Sequence, residues 1–313
     1  FKGLKDNSCD KFGNFSFGLV FELRIYMSLL KPFLTLSIFI AGAVSVGDTV
    51  NASTEALSVV LEQQPESVKA RYPDRNPLET IEFFDIKPGM VVVEALPGSG
   101  WYSRILSPYL GQQGVVIGAM YANDMLPLFG MFSEERLKEL ESWTDDWPVE
   151  ARSWVPEHSA QFDAMEFGSL PVSMYGSADA VLFIRALHNL ARFGGHRDYL
   201  SEALVDALML LKPGGTLGVV QHRAPSQAAE DWANGSNGYL KESFVIEAAQ
   251  KAGFEFVDRS DHNSNKKDRP TEDDMVWRLP PTLAGSEGNS ERTSEMLAIG
   301  ESDRMTLKFR KPL

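Results

Sequence analysis

The chain has 313 residues, a formal net charge of −13 and one cysteine, Cys9. So acidic a balance excludes recognition dominated by nucleic-acid phosphates, which needs a basic surface, and with Cys9 ahead of the predicted mature domain, a mature chain without cysteine would hold neither a disulfide nor a thiolate metal site. The length is enough for one sizeable α/β domain with a full core.

The first methionine is Met27, and residues 1–26 are set aside as a non-native or misassigned N-terminal extension. Met27-Ser28-Leu29-Leu30-Lys31 is a short basic start, residues 32–46 are uncharged and mostly apolar, and Val50-Asn51-Ala52 offers small residues where a signal peptidase reads. The expectation is a signal peptide over 27–52, a mature domain over 53–313, and a periplasmic or secreted location. The apolar run falls short of the roughly 20 residues of a membrane span, so no stable span is expected after cleavage.

Residues 53–72 mix apolar residues with acids and glutamines and read as amphipathic helix, broken by Pro73 and Pro77. Pro77 then opens a helix in which Leu78, Ile81 and Phe84 recur at helical spacing. After Lys87-Pro88-Gly89, Val91-Val92-Val93 is short, apolar and β-branched, the pattern of a parallel strand covered on both faces. Glu94 sits at its carboxyl end, Leu96-Pro97-Gly98-Ser99-Gly100 forms a glycine-bearing turn, and a helix is predicted over 101–110. A second strand over 114–119 ends at Tyr121-Ala122-Asn123-Asp124. Ser133-Glu134-Glu135 starts a helix with a capping hydroxyl and acids in its first turn. Three prolines interrupt 143–171, leaving only a short strand near 153–155.

Residues 178–184 form the clearest later strand, with Arg185-Ala186-Leu187-His188-Asn189 at its carboxyl end. A helix over 199–211 closes at Lys212-Pro213-Gly214-Gly215, and a strand over 216–221 ends at His222-Arg223. Helix 241–252, strand 254–260 and a terminal strand 305–310 complete the chain, with a long insertion between the last two. Strands alternating with helices predict a doubly wound parallel sheet, in which ligands bind beyond the carboxyl ends of strands.

The turn after the first strand matches none of three common motifs. A P-loop needs Lys-Ser/Thr after its last glycine, where Trp101-Tyr102 stands; a nucleophile elbow around Ser99 needs glycines where Pro97 and Trp101 stand. A dinucleotide fingerprint needs a small third residue at 103, which Ser103 partly satisfies.

The series Lys87-Pro88-Gly89-Met90, Glu94-x-x-Pro97-Gly98-x-Gly100-Trp101-Tyr102, His188-Asn189, Leu211-Lys212-Pro213-Gly214-Gly215, Gln221-His222-Arg223-Ala224 and Gly300-Glu301-Ser302-Asp303-Arg304-Met305 resembles the bacterial predicted methyltransferases related to class I S-adenosylmethionine-dependent enzymes. The likeness runs over about 72–312. It implies a three-layer α/β fold, a mostly parallel seven-stranded Rossmann-like methyltransferase sheet whose last strand is antiparallel. It also implies S-adenosylmethionine as cofactor and methyl transfer to a small molecule. An exported binding or scaffold protein on a degenerate methyltransferase fold is the alternative, and a nucleotide-linked oxidoreductase a weaker third.

Carried over by position, Glu94, Gly98, Ser99, Gly100, Trp101 and Tyr102 fall on the cofactor loop. The carboxylate would accept from the methionine amino group or order the loop, and the glycines would admit the cofactor's carboxyl end against backbone N–H groups. Leu96 stands where the superfamily has its first glycine, Met120 where an acid holds the ribose hydroxyls; Asp124, four residues on, is the substitute candidate. His188, His222 and Arg223 at strand ends are the candidate catalytic groups, set against a purely structural role for His188. The long insertion, with Asn263, Asn265 and Trp277, is read either as a substrate wall over Glu94, His188 and His222 or as a surface loop. Glu301, Asp303 and Arg304 are read as a structural polar cluster. No metal is expected.

Overall fold

The computed structural model describes residues 46–313. Residues 1–45, including most of the predicted signal peptide, lie outside the described residues, and the predicted processing position after Ala52 falls inside the helix Val46–Glu62.

Seven strands make one sheet: β1 (Val91–Ala95), β2 (Val115–Met120), β3 (Gln161–Glu166), β4 (Ala178–Ile184), β5 (Leu211–His222), β6 (Glu255–Ser260) and β7 (Arg304–Arg310). Their order is β3-β2-β1-β4-β5-β7-β6, and β7 alone runs against its neighbours, as the resemblance implied. Val93 pairs with Ile117 on one side and Val181 on the other, which sets β1 at the centre.

Side chains alternate strictly across this centre. Val92, Ala180, Leu182 and Val220 join the core beneath the helices Val46–Glu62, Pro77–Phe83, Ser103–Leu110 and Trp143–Arg152. Val93, Val181, Phe183 and Val219 join the core beneath Leu187–Arg192, Tyr199–Leu210 and Glu242–Lys251. Burial on both faces is why these strands read as unbroken apolar runs.

The chain moves outward from β1 to β2 and β3, then crosses back to β4 on the other side of β1. The loops after β1 and β4 therefore diverge, leaving a crevice at the switch point.

Two local expectations are corrected. Residues 153–155 form the turn that closes the helix Trp143–Arg152, and the edge strand is Gln161–Glu166 instead. That strand alternates exposed and half-buried residues, so it lacks the apolar run that marks the central ones. The helix predicted from Trp101 begins at Ser103, because Trp101 and Tyr102 still belong to the turn.

Candidate active site

A cavity of about 590 Å³ opens at the switch point. The loop after β1 (Leu96 to Ser99), Arg185 just after β4, His188 and Asn189 in the helix Leu187–Arg192, and His222 at the end of β5 line it from below. Val276, Trp277, Leu279 and Pro280 of the β6–β7 insertion wall it from the other side.

The β1 loop turns sharply because Leu96 takes φ +50, a left-handed conformation that costs a side-chain-bearing residue roughly 1–2 kcal/mol. Leucine there bends the chain as a glycine would. Gly98 (φ +57) faces open space: a Cβ added to it would meet only the Leu96 carbonyl oxygen, at 4.0 Å. Gly100 has another purpose, since its Cβ position lies 2.1 Å from the ring of Trp154. It makes room for packing. Beneath the loop, the Ser103 hydroxyl donates to Glu94 at 2.6 Å. Burial pushes the Glu94 carboxyl up to about 7, against the lowering pull of that bond and of Arg185.

Cations crowd one side. Glu301 accepts from Arg71 at 2.6 Å, from Arg75 at 2.9 Å and from Arg304 at 2.9 Å, all but Arg71 deeply buried. Burial alone would raise the Glu301 carboxyl, but Arg304 and Arg75 outweigh it and hold it at about 2. The Arg75 guanidinium lies 4.7 Å over the Trp101 ring, joining this cluster to the β1 loop. Arg185, also at a left-handed φ of +58, has no side-chain hydrogen bond or ion pair among the described residues. Burial, then the nearby Arg75 charge, pulls it down to about 10, so it stays cationic at neutral pH.

The two histidine rings lie 5.4 Å apart, centroid to centroid. The Gln221 amide donates to the Gly238 carbonyl at 2.9 Å, which turns its oxygen toward His188 Nδ1 at 3.4 Å. That arrangement puts the His188 proton on Nδ1 and leaves Nε2 with its lone pair. His222 Nδ1 lies 2.6 Å from the Ser302 hydroxyl. Burial first, then neighbouring charges, lowers both imidazoles, His188 to about 4, so both are neutral at pH 7.

The insertion wall is anchored from behind by Arg278, which bonds Asp268 at 2.9 Å, Asp274 at 3.0 Å and the Tyr239 hydroxyl at 3.0 Å. Trp277 thereby stands edge-on to His188, with ring centroids 5.8 Å apart.

Strand order, the antiparallel β7 and a glycine-bearing loop beside a cavity at the β1/β4 switch point together define one architecture. The chain has the class I methyltransferase-like fold. No family model and no curated protein matches it. Among solved structures it is similar to the [4+2]-cyclase SpnF (18% identity, 77% of this chain and 81% of that one, TM-score 0.48). Similar too are a geranyl diphosphate methyltransferase in complex with SAM (11%, 76% and 85%, TM-score 0.46) and an arsenic(III) S-adenosylmethionine methyltransferase from Chlamydomonas reinhardtii (15%, 82% and 73%, TM-score 0.41). The fold assignment rests on the strand order itself.

Measured against the cofactor of this methyltransferase-like fold, the residues fit its amino-acid half: Gly98 leaves an open backbone edge and Glu94 underlies the loop. They do not supply a ribose acceptor. Met120 is buried in the core, and Asp124 lies on the surface, bound by Arg197 at 3.0 Å.

The predicted site residues thus divide. Gly98, Ser99, Trp101, His188, His222 and Trp277 line the cavity. Glu94 and Tyr102 are buried behind it, Tyr102 reaching the Arg75 carbonyl. Arg223 was expected to share the crevice with His222, but it turns away to Asp303 at 2.9 Å and Glu242 at 3.3 Å. Asn263 and Asn265 were expected to contact substrate; instead Asn263 donates to Thr80 and Thr306, and Asn265 to the Ile299 and Glu301 carbonyls. Amides on a connecting segment are spent fixing that segment to the domain. Arg185, Arg75 and Ser302 were missed. For Arg185 the signal was its place at the carboxyl end of a buried strand.

Proposed function

We propose that the chain is an S-adenosylmethionine-dependent methyltransferase acting on a small molecule, exported after removal of 27–52. The observation that carries this reading is the cavity at the β1/β4 switch point, with the open edge of Gly98 on one side and the neutral His188 and His222 on the other. The cofactor would supply a methyl group on a sulfonium, whose transfer needs alignment and exclusion of water more than a strong base.

This chain's residues provide both. Leu96 to Ser99 offer backbone to the amino-acid half of the cofactor, with Glu94 ordering the loop through Ser103. Trp277 and Pro280 keep water out, and the Nε2 lone pair of His188 accepts the proton an O–H or N–H acceptor releases.

A second reading is an exported binding or scaffold protein. It is favoured by the buried Met120 and by Tyr121, which is packed in the core after β2 with its hydroxyl on the Ala186 carbonyl, so that neither offers a ribose acceptor. Titration calorimetry of S-adenosylmethionine and S-adenosylhomocysteine into the full chain separates the two. Saturable 1:1 binding of both is expected, and absence of both leaves the binding-protein reading.

A further inference from the structure

Among the described residues, Arg185 is the one guanidinium on the cavity wall with no hydrogen-bond or ion-pair partner for its side chain. Arg71 and Arg75 also line the cavity, but both are bound to Glu301, the only carboxylate among its lining residues. The wall therefore carries excess positive charge, and Arg185 is the guanidinium in it that no carboxylate holds among the described residues.

The backbone holds this group in place at a cost. Its backbone holds a left-handed φ of +58, a conformation a non-glycine residue keeps only where the surroundings enforce it. Its amide is fixed to the Val220 carbonyl at 2.7 Å, so the strained turn is pinned to β5. Burial strips its hydration, and Arg75 and Arg304 repel it, offset only in part by the Glu301 carboxylate, which makes no ion pair with it. A guanidinium held half-buried beside like charges, without a carboxylate of its own, is a planar five-donor receptor for an oxyanion.

We propose that Arg185 receives a carboxylate or phosphate group on the small molecule that the cavity takes, so that the methyl acceptor is an acid. The inference rests on the reading above for the word acceptor, and on Arg185 alone for the anion. Placement favours the acceptor over the cofactor as the source of that group. Arg75, stacked on Trp101, already stands at the β1 loop where the amino-acid end of the cofactor belongs. Arg185 lies one turn of chain before His188, beside the imidazole that takes the acceptor's proton. An anion bonded to Arg185 would set its molecule between that guanidinium and His188 Nε2.

The test uses the full chain and two probes, succinate and inorganic phosphate, titrated by calorimetry at low ionic strength. Wild type should bind at least one of them at a single site. Arg185→Gln should weaken that binding roughly tenfold or more, and Arg185→Lys should restore part of it. The exposed Arg136→Gln should leave it unchanged, and circular dichroism should show every variant folded. Binding of neither probe, or equal binding by Arg185→Gln, overturns the proposal.

The source of the anion is decided by comparing S-adenosylmethionine with its decarboxylated analogue. If Arg185→Gln weakens the first and spares the second, Arg185 serves the cofactor's own carboxylate and the acid-acceptor assignment fails. If wild type binds neither nucleoside yet still binds the probe anion through Arg185, the anion site stands and the methyltransferase reading is what fails.

Discussion

The Tyr121 hydroxyl donates to the Ala186 carbonyl at 2.8 Å, tying the residue after β2 to a residue after β4 across the exit of β1. The same oxygen accepts from the Asn189 amide at 3.2 Å, and the ring is fully buried. Tyr121→Phe leaves a buried carbonyl and an amide without this partner, and should cost about 1–3 kcal/mol of stability. Urea denaturation measures it. A loss of a few tenths of a kcal/mol would show that the bridge is not what holds the two loops together.

Gly98→Val should remove S-adenosylmethionine binding while the fold survives. The left-handed φ of +57 costs a branched residue something, but no neighbour blocks the Cβ, so the side chain projects into the space a ligand needs. Calorimetry and circular dichroism report the two halves. A folded variant with wild-type affinity would move the cofactor away from this loop.

Glu301 makes the protein acid-sensitive in a defined window. Its carboxyl sits at about 2 in the fold against an ordinary 4.5, so its contribution is complete above about 4.5 and fades as pH falls toward about 2. Glu301→Gln should flatten that limb of the stability curve. At neutral pH the same change should cost about 3–5 kcal/mol, because Arg75 and Arg304 are left buried without their carboxylate. Thermal melts from pH 3 to pH 7 test both parts, and parallel curves for variant and wild type would contradict the first.

Glu94 works in the opposite direction. Burial raises its carboxyl to about 7 from 4.5, so the stability of the protonated form is full below about 4.5 and is lost as pH rises through about 7. Glu94→Gln should therefore gain stability relative to wild type between pH 5 and pH 8, a difference that two melting series would show. A constant difference over that range would mean Glu94 is ionised throughout.

Hydrogen exchange should detect ligand at the wall. Backbone amides of Val276 and Leu279 should gain protection when a cavity ligand is added, since these residues face it. Asn263 and Asn265 should not respond, since neither lines the cavity and their side chains are turned to the domain. Protection confined to the β1 loop would place the insertion outside the site.

Much of this was legible in the chain before folding. The apolar runs of β1, β2 and β4 predict central parallel strands because both their faces are buried, and the glycine-bearing turn after Val93 marks the ligand side of the sheet because strand ends there are free of cover. Periodicity and turn residues are local, so they survive in the sequence. The edge strand β3 left no such trace, since Met165 alone of its residues is buried.

What the tertiary structure alone decided is which strand-end residues meet. Arg223 and His222 are neighbours in sequence and point to different partners, because successive residues at a strand end face opposite ways. Asn263 and Asn265 carry the right chemistry for a pocket, yet a long connection must first satisfy its own backbone and side chains against the domain. Arg71 and Arg75 are held by Glu301, more than two hundred residues away, and that distant pairing is what leaves Arg185 as the cavity guanidinium without an ion pair among the described residues. A pairing between residues so far apart in the chain depends on how the fold brings them together, and no window of sequence contains it.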